Sequence, residues 1–258
     1  MILMYSSLST ALNARNIKFI HLEEIDSTNL YLKRLINDGE RQRTVVIADY
    51  QTNGKGRSGK SFYSPQGTGL YMSVLLNPNC PFCDAVGVTT AASVAAARAI
   101  EKVCGKQVGI KWVNDLYFDS KKVCGILCEA VNDYKTATAK SVIIGVGINL
   151  STAYFPDELK EIAGSLEVEK SLYPALAQGL ADEILKIKFG AIDEAVLDEY
   201  RRRSIVLGKN VDYYINGEKR TALAVDIDSK GGLVIKNENG EISTLSSGEI
   251  TLRLNKSL

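Results

Sequence analysis

The 258-residue sequence contains a single histidine, His21. Mechanisms that need a Ser–His or Cys–His pair, or several histidine metal ligands, therefore have at most one candidate base or ligand. This shortage excludes most hydrolase classes. His21 stands in IKFIHLEEI, which has the pattern of a β-strand, so we predict a structural position for it and no catalytic one.

Cysteine is also scarce, and its count of five is odd. An odd count in a chain of this length favours free thiols in a reducing cytoplasm. Cys80 and Cys83 form a CPFC pair, the type of half-site that binds zinc. Cys124 and Cys128 lie in a strand-like stretch, about 13 Å apart at roughly 3.3 Å per residue, too far to share one ion. We therefore predict no metal site and a cytoplasmic protein.

Long apolar runs are absent: no stretch approaches the roughly 18 residues that a membrane helix needs. The first residues have no basic region followed by a long apolar one, so a signal peptide is not expected. The net charge is only +1, which gives no electrostatic footprint for nucleic acid over the whole chain. We predict no membrane partner and no DNA partner.

Hydrophobic patterning predicts an α+β fold, with a mixed β-sheet flanked by helices. Strands are expected at 17–25, 44–51, 69–76, 108–112 and 141–150, with a hairpin turning at Asp119 and Ser120. Helices are expected after the DSTN stretch to about residue 38, over 84–104 and over 191–203, with one over 171–189 capped by Ser171.

The pattern changes from Gly208 onward to short strands separated by turns in INGEK, DSKGG and NENGE. This spacing is typical of a small β-barrel. We therefore divide the chain into a domain of residues 1–205 and a small C-terminal β-barrel domain of residues 206–258.

The stretch Gly54–Ser61, GKGRSGKS, matches two phosphate-binding patterns, G-x-x-x-x-G-K-[ST] and G-x-G-x-x-G. Both patterns require a helix directly after the loop. Pro65 and further glycines follow instead, and then a strand, so both interpretations fail. A plain surface hairpin loop is one alternative. The spacing of Lys55, Arg57 and Lys60 among glycines favours another, a mobile cationic flap that orders over an anion.

Two further stretches have the residue types of a binding site. Lys111 ends a strand beside an Asn-Asp turn, where it could hold a carboxylate or phosphate oxygen, or stand solvated at the strand end. Gly145 and Gly147 interrupt an apolar strand. They mark the close approach of a ligand, or equally tight packing of a helix on the sheet.

Three stretches in this order resemble the biotin protein ligases, also called holocarboxylase synthetases. They are DSTN, QTNGKGRSGKSFYSPQGTGLYMS, and KWVNDLYFDSKKVCGILCE followed by IIGVGINL. The resemblance spans about residues 20 to 150, and the C-terminal β domain fits the same family. It implies a class II synthetase-like catalytic domain followed by a small barrel.

The resemblance also implies roles for particular residues. Arg57 and Lys111 are expected to be catalytic, with Lys111 neutralising the biotin carboxylate and the α-phosphate. Substrate binding is expected from these two and from Ser27, Thr28, Asn29, Gln51, Gly54, Lys55, Gly56, Lys60, Gly145 and Gly147. Nucleotide binding is expected from Arg57, Lys60, Asn114 and Asn149.

The implied reaction joins biotin to ATP with Mg²⁺ as biotinyl-5′-AMP, and then transfers biotin to a lysine of a biotin carboxyl carrier domain. No protein nucleophile is needed, because the substrate carboxylate is already ionised and fixed cations position the reactants. A lipoate or octanoate ligase of the same fold class and a biotin-sensing module without turnover are the alternatives. Only some 16 residues precede the first predicted strand, so a DNA-binding repressor form is not expected. We expect a monomer or a weak homodimer.

The sequence departs from the family pattern at three positions. Val113 stands where proline is common, which predicts a looser turn before Asn114. Lys55 and Lys60 stand where arginine is frequent, which keeps the charge but loses bidentate geometry.

Overall fold

The computed structural model of the chain describes residues 4–78, 80–81, 85–133, 137–215, 218–246, 248 and 250–252. The main sheet has eight strands: β1 (Lys18–Ile25), β2 (Thr44–Gln51), β3 (Gly69–Leu76), β4 (Cys80–Pro81), β5 (Gly109–Lys111), β6 (Asp115–Phe118), β7 (Lys121–Asp133) and β8 (Thr138–Asn149). Their order is β1-β2-β3-β8-β7-β6-β5, with β4 paired to β8. β1 runs parallel to β2 and the other pairs are antiparallel, which confirms the predicted mixed sheet.

Helices cover both faces of this sheet. They are α1 (Ser6–Asn13), α2 (Thr28–Asn37), α3 (Ala85–Cys104), α4 (Tyr173–Ile184) and α5 (Glu194–Arg203). Side chains alternate between the faces of a strand. In β3, Met72 and Val74 therefore join the large core, whereas Leu75 packs with Leu32 and Ile36 of α2. The strand is buried on both sides, in agreement with its largely apolar sequence.

Turn and cap residues explain several element ends. Gly105 ends α3 with φ +65°, a left-handed conformation that glycine adopts at little cost. Asp119 and Ser120 both have positive φ, which confirms the predicted tight hairpin between β6 and β7. The predicted start of α3 at Asp84 lies outside the described residues.

The helix predicted over 171–189 is present as α4, but it is shorter than predicted, from Tyr173 to Ile184, and the predicted cap at Ser171 was wrong. Residues Lys170–Leu172 form a 3₁₀ turn and α4 begins at Tyr173. The Ser171 hydroxyl donates to Glu169 and does not cap the helix. Pro174 lies in the first turn of α4, where its missing N–H is not needed. α1 was not predicted, because its short amphipathic pattern in SSLSTALN is weak without tertiary contacts; Leu8 and Leu12 are fully buried.

The C-terminal part forms a second sheet of five antiparallel strands, β9 (Asn210–Ile215), β10 (Glu218–Ile227), β11 (Leu233–Lys236), β12 (Ile242–Leu245) and β13 (Ile250–Leu252), in the order β12-β11-β10-β9-β13. Among the described residues no strand pairing joins β12 to β13. The structure therefore supports the predicted small, separate C-terminal β domain as an antiparallel sheet, and its closure into a barrel is not seen within the described residues.

The second sheet contacts the main one through buried side chains. Trp112, 3% exposed, donates its indole N–H to the carbonyl of Gly231 at 2.9 Å. This contact places the second sheet beside the turn between β5 and β6. In the described part of the chain, no helix is long and apolar enough to cross a membrane.

Candidate active site

A cavity of about 440 Å³ lies against β3, β8 and β7. It brings together residues that are more than 100 positions apart in the sequence. The predicted residues that line it are Ser27, Thr28, Asn29, Gln51, Lys55, Gly56, Arg57, Lys60, Lys111, Asn114, Gly145, Gly147 and Asn149. Gly54 is the predicted residue that does not line it. A Cβ at Gly54 would collide with the carbonyl of Phe62, so this glycine permits close packing behind the cavity.

Polar side chains from three elements form the floor of the cavity. Gln51 Oε1, at the end of β2, accepts from the backbone N–H of Thr28 at 2.9 Å and lies 3.1 Å from the Thr28 hydroxyl. Gln51 Nε2 donates to Ser64 Oγ at 2.9 Å. The Ser73 hydroxyl on β3 lies 2.6 Å from both Thr28 Oγ1 and Asn29 Oδ1. The first turn of α2 therefore presents a preformed set of donors and acceptors to a small polar ring.

The two glycines of β8 make room for side chains on that floor. A Cβ at Gly145 would collide with Asn29 Oδ1, and one at Gly147 would lie 2.5 Å from the ring of Phe62. Gly125 on β7, paired with Gly147, also faces Phe62. Of the two alternatives left open by the sequence, packing of helix α2 on the sheet explains Gly145, through the Asn29 side chain, whereas Gly147 gives room to the Phe62 ring from the loop after the flap.

The glycine-rich loop folds over the mouth of the cavity as a flap, which we define as Gly54–Lys60. The Gly56 N–H donates to the Lys60 carbonyl at 2.7 Å, and Ser58 and Gly59 adopt left-handed φ values of 53° and 76°. A single 3₁₀ turn, Arg57–Gly59, stands where either phosphate-loop pattern would need a helix. The Arg57 guanidinium donates to Asn114 Oδ1 at 3.4 Å, so the flap reaches across to the turn between β5 and β6.

That turn is firmly held, contrary to the looser geometry predicted from Val113. Val113 is 2% exposed, and its carbonyl accepts from Tyr200 Oη at 3.1 Å and from Ser93 Oγ at 3.3 Å. Asn114 Nδ2 donates to the Ile126 carbonyl of β7 at 2.8 Å. The Asn114 side chain is therefore fixed by the backbone of β7 and presents its oxygen toward Arg57.

Besides Lys55 and Lys60 of the flap, Lys111 and Lys122 line the cavity, and sequence reasoning found only the first of these two. Lys111 Nζ lies 5.7 Å from the centroid of the Tyr117 ring. Lys122, which was missed, pairs with Asp115 at 2.7 Å, and its Cε lies 3.4 Å from a Cβ built at Gly125. The predicted hairpin turn carried the necessary signal. Because the chain turns at residues 119–120, Lys122 on β7 lies opposite Tyr117 on β6, next to the predicted site.

Asn149 ends β8 with its side chain in the cavity wall. Its Nδ2 donates to the Gly164 carbonyl at 3.0 Å, which fixes the orientation of the amide. Its Oδ1 is buried and has no hydrogen-bond partner among the described residues. A buried oxygen without a donor is costly, so this atom is suited to a ligand donor or a cation.

Residues 152–165, which sequence reasoning also missed, form an apolar rim on the cavity. The rim contributes Phe155, Leu159, Ile162 and Ala163. It is tied to β7 by Lys122 N–H donating to the Ile162 carbonyl at 2.8 Å, and by Gly164 N–H donating to the Lys122 carbonyl at 2.9 Å. In the sequence these apolar residues stand among charged ones, in a stretch without helical or strand periodicity, so no local pattern marked them.

His21 and the described cysteines take no part in the cavity. His21 Nε2 lies 2.9 Å from Asp49 Oδ1, and the ring packs edge-on against Tyr5. Burial raises the pKa of the Cys128 thiol to about 12, so it stays protonated and unreactive at neutral pH. The CPFC pair falls partly outside the described residues, since Cys83 is not described. Among the residues that are described, no group of three or more His, Cys, Asp or Glu could hold a metal ion.

Comparison with known proteins first defines a broad class. Residues 22–149 match the model of the biotin/lipoate A/B protein ligase family. Residues 206–253 match the model of the biotin protein ligase C-terminal domain. The cavity lies mainly within the first match, and the second match covers the small C-terminal sheet.

Individual relatives narrow the class. The bifunctional ligase/repressor BirA of Bacillus spizizenii is 40% identical over 149 residues, which are 57% of this chain and 45% of that protein. The chain thus matches less than half the length of this relative. The biotin–[acetyl-CoA-carboxylase] ligase of Mycobacterium tuberculosis is 26% identical over 236 residues, 87% of this chain and 85% of that one. The chain belongs to the biotin protein ligase family.

A solved structure agrees with this placement across both sheets. The biotin protein ligase from Aquifex aeolicus in complex with biotin and ATP is 29% identical and superposes with a TM-score of 0.71. The match covers 92% of this chain and 98% of that chain.

Proposed function

We propose that the protein is a biotin ligase that joins biotin to ATP as biotinyl-5′-AMP and then transfers biotin to a lysine of a biotin carboxyl carrier domain. One observation carries the proposal. A single cavity combines a floor of polar side chains, a strand whose two glycines let Asn29 and Phe62 pack closely against it, and a cationic flap. The first two features suit biotin, and the third suits the phosphates of ATP.

Biotin is proposed to bind with its ureido ring on the floor formed by Ser27, Thr28, Asn29 and Gln51. The side chains of Thr28, Asn29 and Gln51 are held by neighbouring hydrogen bonds before any ligand arrives, so binding costs little ordering of them. The aliphatic tail is proposed to run along β8 beside Gly145 and Gly147, which line the cavity and are covered by the Asn29 and Phe62 side chains. This pose directs the carboxylate toward Lys111 and Lys122.

ATP is proposed to bind between the flap and the apolar rim. Lys55, Arg57 and Lys60 supply positive charge near the phosphates, while Gly56 lets the backbone approach them. The adenine then lies against the rim residues Phe155 and Ile162; Ile162 is 56% exposed without a ligand. An exposed apolar side chain at a cavity mouth is suited to cover a flat base.

Magnesium fits this site through the unpartnered oxygen of Asn149. Mg²⁺ prefers oxygen ligands and commonly combines one or two protein oxygens with substrate phosphates. Asn149 Oδ1, with phosphate oxygens and water, would hold the ion, and Asn114 lies in the same cavity wall. When bound, the ion neutralises charge on the phosphates.

The proposed chemistry uses positioning and charge. The biotin carboxylate attacks the α-phosphorus of ATP, a P–O bond forms, and pyrophosphate leaves with the electrons of the broken bond. Lys111, Lys122 and Arg57 offset the repulsion between carboxylate and phosphate. The carrier lysine amine then attacks the mixed anhydride, forms the amide and releases AMP. A closed flap protects the anhydride from water between these steps.

Lipoate ligation is the alternative within the same broad class. The polar floor argues against it, because a dithiolane ring offers no N–H or C=O groups to pair with Asn29, Thr28 and Gln51. Incubation with ATP, Mg²⁺, a carrier domain and either biotin or lipoate separates the two by the mass of the carrier. Biotinylation is expected, and lipoylation without biotinylation would contradict the proposal.

The described cysteines are free, which supports a reducing, cytoplasmic location. We also propose the division into domains of residues 1–205 and 206–258, action as a monomer or weak homodimer, and the carrier domain as the protein partner.

Arg57→Gly is predicted to release the adenylate about ten to a hundredfold faster, because the flap loses its contact with Asn114 and gains backbone freedom. Trapping the enzyme with labelled adenylate and timing its loss by gel filtration measures this release. Arg57→Lys is the matched control, since it keeps the charge and loses the planar fork; an intermediate rate is expected. Unchanged retention in Arg57→Gly would refute the flap as a lid.

A further inference from the structure

Glu129 on β7 holds the side chain of Asn29 from below the cavity. Its Oε2 accepts from Asn29 Nδ2 at 2.9 Å, and its Oε1 accepts from Lys33 Nζ at 2.7 Å. Asn29 and Lys33 lie four residues apart on α2, so one helix face meets the same carboxylate twice. Glu129 was not predicted from the sequence, and it does not line the cavity.

This contact fixes which end of the Asn29 amide faces the floor. A carboxylate only accepts hydrogen bonds, and so does the Leu127 carbonyl, 3.3 Å from the same nitrogen. Both amide hydrogens of Asn29 are therefore engaged on the β7 side. Its Oδ1 must point the other way, toward Ser73 and Gly145.

With the Asn29 amide held in this orientation, the floor has fewer hydroxyl hydrogens than oxygen–oxygen contacts that need one. Three oxygen–oxygen contacts join Asn29, Ser73, Thr28 and Gln51, at 2.6, 2.6 and 3.1 Å. Only two hydroxyl hydrogens, those of Ser73 and Thr28, are available to fill them. Gln51 cannot supply a third hydrogen, because the atom that faces Thr28 is its acceptor Oε1, while its Nε2 donates to Ser64. One acceptor on the floor is left for a ligand to fill.

We propose that Glu129, held by Lys33, is a positioning residue that sets the floor to accept a hydrogen bond from a ligand N–H. This inference rests on the proposed function and deepens it. A cyclic urea carries the N–H group that the floor lacks, and a ring without one leaves the acceptor unpaired. The site should therefore bind a ring with an N–H group much more tightly than a ring without one. Leaving a buried polar group unpaired costs more free energy than a hydrogen bond contributes.

Exchanging the amide of Asn29 and the carboxylate of Glu129 between their two positions tests this positioning role. Asn29→Asp places two carboxylates against each other, and biotin is expected to bind about a hundredfold more weakly. Adding Glu129→Gln restores a donor: the new amide nitrogen can donate to the carboxylate introduced at position 29, while its oxygen still accepts from Lys33. The double variant N29D/E129Q should bind biotin at least about tenfold more tightly than N29D, with incomplete recovery because Leu127 loses its donor.

Calorimetric titration with biotin measures these affinities, and thermal melting checks that each variant folds. Glu129→Gln alone is expected to raise KM for biotin about tenfold, with kcat at saturating biotin and KM for ATP close to wild type. Glu183→Gln is the matched control. Glu183 also pairs with a lysine, Lys186, at 2.6 Å, but lies on α4 away from the cavity, and biotin binding should be unchanged.

Each outcome separates the inference from the proposed function. If wild type binds biotin but Glu129→Gln matches it and N29D/E129Q is no better than N29D, the positioning role is overturned and the ligase assignment stands. If wild type does not bind biotin, the proposed function fails and this inference with it.

Discussion

Gly145→Ala is expected to weaken biotin binding by about a hundredfold or more. The added methyl group would occupy the position of Asn29 Oδ1, which is held between Ser73 and the contact with Glu129 and cannot move aside without breaking both. Overpacking of this kind typically costs about 1–3 kcal/mol, and here it also displaces a proposed ligand-binding group. The protein should melt at a lower temperature, and calorimetry should detect little or no biotin binding.

Gly179→Ala is the matched control for this substitution. Gly179 lies inside α4, where an added Cβ would be 3.5 Å from Val103 and make an ordinary contact. Alanine is the better helix former, so this variant should be slightly more stable and bind biotin normally. If Gly145→Ala bound biotin as tightly as Gly179→Ala, the floor would not be where the ligand binds.

Lys122→Ala is expected to slow adenylate formation by about a hundred to a thousandfold. Its stem crosses Gly125, which pairs with Gly147, so the ammonium lies near the proposed path of the biotin tail. Lys111, on the edge strand β5, is predicted to contribute as well, with adenylation affected more than carrier binding. We expect the larger loss for Lys122. Single-turnover formation of labelled biotinyl-AMP measures both variants.

Lys121→Ala supplies the control, because Lys121 is the next residue on β7 but donates to the Lys160 carbonyl outside the cavity. Its adenylation rate should stay within about twofold of wild type. If Lys122→Ala formed the adenylate at a normal rate and Lys111→Ala lost most of its rate, Lys111 would be the main lysine that neutralises charge in this step. Normal rates in both would remove charge neutralisation by lysine from the mechanism.

Much of the fold could be predicted because local patterns and tertiary packing agree. The predicted ranges for β2 and β3 match the structure to the residue, since both strands are apolar runs bounded by turn residues. The absence of a helix after the flap was also predictable, from Pro65 and the glycines that follow it. The start of α4 was wrong because Ser171 resembles a cap but pairs with Glu169.

The parts of the site that were missed depend on contacts between distant residues. Lys122 comes beside the cavity through the register of the β6–β7 hairpin, and the rim reaches it through hydrogen bonds to Lys122. Glu129 acts on Asn29 across 100 residues of sequence. No local periodicity encodes such pairings, and only Lys122 had a signal in the sequence, the predicted hairpin turn at residues 119–120.

The most direct test of the account is biotin-dependent exchange of labelled pyrophosphate into ATP by the wild-type protein with Mg²⁺. Exchange requires reversible formation of an acyl-adenylate and needs no carrier domain, so it isolates the proposed chemistry. We predict exchange that depends on biotin and stays at background with lipoate. No exchange with biotin in a folded protein that binds both biotin and ATP would contradict the account and favour a sensor without turnover.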